Sequence, residues 1–159
     1  MSILLRKPIK SDAKDIYQLV KDTNVLDVNS EYLYLLQTTH FKEYCCVATL
    51  DDQLVGFVSG YLLPDQEETL FIWQVAVSET ARGRGLAGKM IIDILQREST
   101  KNVHYVHTTI SPSNSSSQRL FEKLSSEYGV SFTQETMFEI KDFNNAHEDE
   151  VLYKIQLKK

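Results

Sequence analysis

The 159-residue sequence is short of the residues that mark several specialised classes of protein. It contains two cysteines, three prolines and six glycines, which are too few for a disulfide-stapled, proline-rich or glycine-repeat chain. The two cysteines, Cys45 and Cys46, are adjacent. Because neighbouring cysteines seldom form an unstrained bridge, we expect both thiols to be reduced and packed inside a strand.

Long hydrophobic runs and an excess of basic charge are also missing. No run approaches the roughly 20 apolar residues of a membrane-spanning helix, and the N-terminus lacks the apolar core of a signal peptide. These absences predict a cytoplasmic protein that makes no use of a membrane. The net charge of -5 argues against nucleic acid as a partner, because a phosphate backbone calls for a basic surface.

The length and the 42% hydrophobic content suit a single domain over residues 1–159. Hydrophobic periodicity predicts strands at 3–6, 44–50, 54–61, 70–77, 103–110, 130–140 and 151–157. Helices are expected after Ser11 or Asp12, over 31–39, from 87 to about 97, and after Asn114. We expect Asp51 and Asp52 to lie in a hairpin turn between the second and third of these strands, and residues 62–68 to form a loop. This order predicts an α/β fold with a mixed central sheet flanked by helices.

The basic turn, residues 82–87 (RGRGLA), is the most informative stretch of the chain. It lies between an apolar strand and a helical pattern. Glycines let a backbone approach a ligand closely, and the first N–H groups of a helix have no partner of their own. Two arginines add positive charge in an otherwise acidic chain. The turn therefore predicts a site for a small ligand that carries a pyrophosphate.

The pattern Arg-x-x-Gly-x-Ala, met by Arg82, Gly85 and Ala87, resembles the signature of the GCN5-related N-acetyltransferase (GNAT) superfamily. The order of elements is similar to that fold from end to end. The resemblance implies a single-domain GNAT fold with acetyl-coenzyme A as co-substrate. It further implies that cofactor binding involves Val75, Ala76, Val77, Arg82, Gly83, Arg84, Gly85, Leu86, Ala87, Gly88, Asn114 and Phe121.

One of these positions departs from the superfamily's pattern. Many members carry a tyrosine seven residues after the motif asparagine, here Asn114, and use it as the general acid for the leaving thiolate. Phe121 stands at that position and cannot donate a proton. Either another group, such as a water or a nearby tyrosine, protonates the thiolate, or the thiolate leaves unprotonated.

Five further stretches resemble the L-2,4-diaminobutyrate acetyltransferases of ectoine biosynthesis, namely 26–32, 56–61, 73–77, 108–114 and 147–153. The resemblance implies transfer of acetyl from acetyl-coenzyme A to the γ-amine of L-2,4-diaminobutyrate, and a homodimer. The apolar segment 32–36 is a candidate for the dimer contact. The alternatives are an acetyltransferase for another small primary amine and a non-catalytic acyl-coenzyme A-binding module, which Phe121 favours.

The expected substrate carries two ammonium groups and one carboxylate, and its amine is almost fully protonated near pH 7. The enzyme must remove a proton and orient the free amine for direct transfer in a ternary complex. The subfamily-like stretches supply anions and donors: Asp27, Glu148, Glu150, Asn29, Trp73, Gln74 and His147.

We expect Asp27 and Glu150 to bind the diamine, Asn29 and Gln74 to bind the substrate as well, and Trp73 to form a wall of the pocket. The backbone amide at Val75 is the expected oxyanion donor. The general base stays open among Glu148, Glu150, His147 and a chain of waters.

Each of these residues also has a purely structural interpretation. The basic turn is also consistent with a solvated surface turn, and Trp73 with core packing. Asp27 and Asn29 are consistent with a turn or a helix cap. The 147–150 segment suits a solvated acidic run. The histidines show no convincing metal-ligand spacing, so we predict no metal.

Overall fold

The computed structural model describes residues 2–145 and 147–159, which form seven strands and four α-helices. The strands are β1 Ile3–Arg6, β2 Cys46–Leu50, β3 Gln53–Leu63, β4 Gln66–Val77, β5 Tyr105–Ile110, β6 Gly129–Phe138 and β7 Glu150–Leu157. The helices are α1 Ala13–Asp22, α2 Glu31–Gln37, α3 Leu86–Leu95 and α4 Ser115–Tyr128.

The strands follow the order β1-β2-β3-β4-β5-β7-β6. The β4–β5 pair is parallel, whereas β1–β2, β2–β3, β5–β7 and β6–β7 are antiparallel. The sheet is therefore mixed, as the sequence predicts. The chain groups into two compact units, Met1–Tyr61 with Trp73–Asn102 and Leu62–Ile72 with Val103–Lys159, so that β4 belongs to both.

The first unit packs α1 and α2 on one side of its strands. The apolar stripe of α1, which includes Ile16 and Val20, joins Tyr34 of α2 in a cluster with Val47 and Phe57. Val47 and Phe57 are direct cross-strand partners, so their side chains share one face of the β2–β3 pair. Tyr34 is fully buried and meets Phe57 edge to face, with ring centroids 6.3 Å apart.

The opposite side of the same strands carries α3. Ala48 pairs with Gly56, and a Cβ atom on Gly56 would lie only 2.9 Å from Cε of Met90 and 3.1 Å from Cβ of Ala48. Glycine at this position lets the helix approach the strands closely. Met90 of α3 therefore packs directly on the β2–β3 pair.

The second unit is built from the first half of β4, β5, β7 and β6, with α4 against β6 and β7. Phe121 and Leu124 form the buried face of α4, and Tyr153 and Ile155 are buried on β7. Strand β6 is mostly exposed. It ends the strand order and pairs along its length with β7.

The prediction of a loop over residues 62–68 is wrong. Strand β3 continues to Leu63 and β4 begins at Gln66, so only Pro64 and Asp65 connect them. The first three residues of β4 are polar and exposed. Because all three are polar, the sequence shows no alternation of apolar and polar residues here. Their extended conformation comes from pairing with neighbouring strands.

The two-residue turn between β2 and β3 is confirmed. Asp51 and Asp52 have φ of 50° and 66°, the left-handed values of a tight hairpin turn, which aspartate tolerates better than most residues. Both cysteines are confirmed as free and buried. Burial raises the pKa of each thiol to about 12, so neither is a reactive thiolate near neutral pH. The described helices include none with the length and apolarity needed to cross a membrane.

Candidate active site

Strand β4 separates its side chains into two sets by position. Leu70, Ile72, Gln74 and Ala76 are buried, whereas the residues between them are partly or largely exposed. Trp73 is 45% exposed, and its ring meets Tyr61 edge to face with centroids 6.4 Å apart. Trp73 is therefore a surface aromatic rather than a core residue, on the same face of the strand as Val75 and Val77.

The basic turn has a backbone that only glycine adopts easily. Gly83 has φ of 80° and Gly85 has φ of 66°, and Gly85 is the N-cap of α3 without a side-chain cap. A Cβ atom built on either glycine would meet nothing within 4 Å. The backbone of the turn therefore borders open space, and the next residue, Leu86, anchors it in the core.

Positive charge surrounds this open helix end. Arg82 and Arg84 are exposed, and neither forms an ion pair with any other described residue. The first amides of a helix have no partner within it, and the helix dipole places partial positive charge there. This combination fits a pyrophosphate, as the sequence predicts.

A second group of predicted residues meets around the side chain of Gln74. Its Nε2 donates to the carbonyl of Asp27 at 2.8 Å, and its Oε1 accepts from the hydroxyl of Tyr34 at 3.0 Å. The same hydroxyl accepts from the backbone N–H of Asn29 at 3.4 Å. The structure therefore brings Asp27, Asn29 and Gln74 together within the first unit.

Sequence reasoning missed the partners that complete this network. In the sequence, Tyr34 is one of several apolar residues of α2, and Ser59 is an ordinary strand residue. The hydroxyl of Ser59 accepts from the N–H of Gln74 at 3.0 Å. The signal that could have found them is the glutamine itself. Gln74 stands on the apolar, buried face of β4, where an amide requires hydrogen-bond partners.

The predicted acidic residues of the second unit are tied to the loop before α4. The carboxylate of Glu148 accepts from the N–H of Ser113 at 3.1 Å and from its hydroxyl. The carboxylate of Glu150 accepts from the hydroxyl of Ser111 at 3.1 Å. Both serines lie in residues 108–114, one of the stretches that resemble the diaminobutyrate acetyltransferases. Glu148 and Glu150 therefore hold the loop that leads into α4, in addition to any role in proton transfer.

His147 lies beside the same acidic residues. Its Nδ1 is 2.6 Å from the carbonyl of Glu148, and its ring stacks on Phe143 with centroids 3.9 Å apart and planes 10° from parallel. The stacked ring has a fixed orientation. The choice of base among His147, Glu148 and Glu150 stays a prediction.

Two of the predicted cofactor residues lie at the start of α4 and inside it. The side chain of Asn114 caps the helix by accepting from the N–H of Ser117 at 3.1 Å. Phe121 is buried and is the seventh residue of the helix. Within the described part of the chain, no three His, Cys, Asp or Glu side chains are placed to hold a metal ion.

Comparison with known proteins adds to this geometry. Residues 13–125 match the model of the acetyltransferase (GNAT) family. The chain is 42% identical over 155 residues to the L-2,4-diaminobutyric acid acetyltransferase of Vibrio cholerae, covering 97% of this chain and 90% of that protein. It is 40% identical over 154 residues to the enzyme of the same name from Halomonas elongata, covering 96% and 80%.

A solved structure is similar over nearly the whole length. It is diaminobutyrate acetyltransferase EctA from Paenibacillus lautus, in complex with L-2,4-diaminobutyric acid and coenzyme A. The TM-score is 0.94 at 34% sequence identity, over 98% of this chain and 95% of that one.

Proposed function

The chain belongs to the GNAT acetyltransferase family, and we propose that it transfers the acetyl group of acetyl-coenzyme A to the γ-amine of L-2,4-diaminobutyrate. The observation that carries this proposal is the similarity to the EctA structure that holds both diaminobutyrate and coenzyme A. A fold alone would not specify the amine, since GNAT-like folds serve many substrates. Near-full-length identity to diaminobutyrate acetyltransferases supports this substrate.

The residues of the basic turn fit coenzyme A. Acetyl-coenzyme A supplies an acetyl group activated as a thioester. The amides at the start of α3 would hold the pyrophosphate, with Arg82 and Arg84 as counter-charges. Gly83 and Gly85 leave the space that such a close approach needs. The backbone of β4 at Val75 and Val77 would pair with the pantetheine arm.

In the first unit, Asp27 would hold an ammonium group of the diamine, and the indole of Trp73 would pack on its alkyl chain. In the second unit, Glu150 would likewise bind an ammonium group. A carboxylate beside a cation has a lowered pKa and is a weak base. A proton relay from the amine through Glu148, Glu150 or His147 to water is therefore the step that these residues would perform.

Transfer would be direct, with the amine attacking the thioester while both substrates are bound. The N–H of the backbone at Val75 would stabilise the developing oxyanion. Phe121 supplies no proton. The pKa of a thiol is about 8.5, well below that of a protonated alkyl amine. The thiolate can therefore leave without a general acid, more readily than the amine would.

We also propose that the enzyme works in the cytoplasm as a homodimer. The side chains of Tyr32 and Leu35 are exposed on α2, and they would contribute to the contact between copies. Light scattering on the purified protein tests this. A monomer at micromolar concentration would contradict it, as would a dimer that the Tyr32→Glu substitution leaves intact.

A substrate panel tests the main proposal. The protein is assayed for coenzyme A release with diaminobutyrate, ornithine, lysine and spermidine as acceptors. One extra methylene in a fitted pocket costs about 10- to 200-fold in kcat/KM, so we expect diaminobutyrate to exceed ornithine by at least about tenfold. A preference for a longer amine would overturn the assignment. Coenzyme A binding without turnover on any acceptor would identify a binding module instead.

A further inference from the structure

The loop between α1 and α2, residues 23–30, has few attachments to the core. Val25 is 84% exposed and Val28 is 43% exposed, and Asp27 is exposed as well. Leu26 packs against the core cluster of the first unit. The N–H of Leu26 donates to the hydroxyl of Thr23 at 3.3 Å, which is a contact within the loop itself.

Gln74 and Tyr34 attach the other half of this loop. Gln74 is 5% exposed, and both polar atoms of its amide are engaged, one with the carbonyl of Asp27 and one with Tyr34. Tyr34 is completely buried and receives the N–H of Asn29. The backbone on either side of Val28 is therefore held from inside the protein.

The direction of every hydrogen bond in this network is forced. A backbone carbonyl only accepts, so the atom of Gln74 that faces Asp27 must be the NH₂ group. Its oxygen then faces Tyr34, whose hydroxyl donates to that oxygen and accepts from the N–H of Asn29. No member can reverse without leaving a buried polar group unpaired, which is unfavourable inside a protein. The network has one stable arrangement.

We infer that Gln74 is a positioning residue for the amine substrate: it fixes the backbone of Asp27 directly and that of Asn29 through Tyr34. The inference rests on the proposed function, in which Asp27 binds the diamine. In this inference Gln74 acts without touching the substrate, because its side chain is buried beneath the strand. Its neighbours on β4, Trp73 and Val75, face the other side of the strand.

The test uses two substitutions that remove the network without a large change of volume. Gln74→Met deletes both amide contacts, and Tyr34→Phe deletes the hydroxyl. Each should raise the KM for diaminobutyrate about fivefold, the effect of losing roughly 1 kcal/mol of positioning. The KM for acetyl-coenzyme A should stay within about twofold. Amide hydrogen exchange at Asn29 should become faster in both variants.

A matched control is available in Gln37, another buried glutamine, whose Oε1 has no hydrogen-bond partner among the described residues. Gln37→Met should leave both KM values and the exchange at Asn29 unchanged. A purely structural role for Gln74 would instead lower kcat, raise both KM values and lower the melting temperature together. That outcome overturns the inference.

A double-mutant cycle separates positioning from direct contact. If Gln74 acts through Asp27, Gln74→Met combined with Asp27→Asn should be no worse than Asp27→Asn alone. Additive losses would mean that Gln74 binds the substrate itself, which contradicts the inference. Failure of the wild-type protein to acetylate diaminobutyrate would refute the proposed function instead. The exchange rate at Asn29 would still report whether Gln74 holds the loop.

Discussion

The basic turn and the 23–30 loop are two irregular segments of the same unit, and they are held in opposite ways. The basic turn owes its shape to its own residues, since Gly83 and Gly85 adopt left-handed backbone conformations and Leu86 anchors the helix. The 23–30 loop owes its shape to Gln74 and Tyr34, which are 47 and 5 residues away from the positions that they hold.

This difference separates two kinds of recognition. A phosphate is bound by backbone N–H groups, so six consecutive residues can specify the site almost independently of the remaining sequence. A diamine needs charged side chains at fixed separations, and such separations are set by packing between distant segments. We therefore expect the proposed phosphate site at the basic turn to tolerate changes elsewhere in the chain better than the proposed amine-binding residues of the 23–30 loop do.

The largest expected effect is at the basic turn. Gly85→Val places a β-branched residue at φ of 66°, which costs about 1–3 kcal/mol. We expect the dissociation constant for coenzyme A to rise at least about tenfold. The KM for diaminobutyrate should change little. Calorimetric titration with coenzyme A measures the first quantity and steady-state kinetics the second.

The control keeps the backbone conformation and adds a side chain. Asparagine accepts positive φ far better than valine, so Gly85→Asn should bind coenzyme A about tenfold more tightly than Gly85→Val. Equal losses in the two variants would show that side-chain bulk, and not backbone conformation, limits the site. An equal loss of diaminobutyrate affinity would remove the contrast between the two segments.

A smaller effect is expected from Asp27→Asn. The substitution keeps the size of the side chain and removes the charge that would face an ammonium group. The KM for diaminobutyrate should rise about fivefold to tenfold, as for the loss of a charge-assisted hydrogen bond, with the KM for acetyl-coenzyme A unchanged. Asp65→Asn, in the exposed β3–β4 turn, is the matched control. A change confined to acetyl-coenzyme A would place Asp27 at the other substrate.

The smallest kinetic effect is expected at Asp12, which precedes α1. Burial opposes the charge of Asp12, but hydrogen bonds from Arg6 and from the N–H of Ile9 outweigh it and lower the pKa of the carboxyl. A carboxyl with a lowered pKa stabilises the folded state above about pH 4, and this stability is lost as the pH falls further.

Asp12→Asn should therefore reduce the free energy of unfolding at pH 7 by about 1–2 kcal/mol, with the difference from wild type shrinking toward pH 3. Urea denaturation at several pH values measures this. Both KM values should remain at wild-type level. An altered KM for either substrate would show that global stability, and not local attachment, governs the two segments.

The sequence predicted those parts of the fold that local patterns encode. The helix after Ser11 or Asp12, the Asp51-Asp52 turn and the helix after Asn114 follow from side chains within a few residues of one another. The extension of β4 back to Gln66 was missed, because its polar residues become a strand only through pairing partners that are distant in sequence.

The same distinction applies to the candidate site. The basic turn was recognisable from its glycines and arginines alone. The Gln74 network was not, since Tyr34 is 40 residues and Asp27 is 47 residues from Gln74. The serines that bind Glu148 and Glu150 are 35 and 39 residues away from them. Spacings of this kind become visible only when the chain has folded.

Strand β4 has a consequence for how this enzyme can change over generations. Its odd-numbered residues from Phe71 to Val77 face one side, and its even-numbered residues face the buried side. Inserting or deleting a single residue before Trp73 would exchange the two sets unless a β-bulge absorbed the change. We therefore expect β4 to vary by point substitution, whereas no such parity constrains the length of the 23–30 loop.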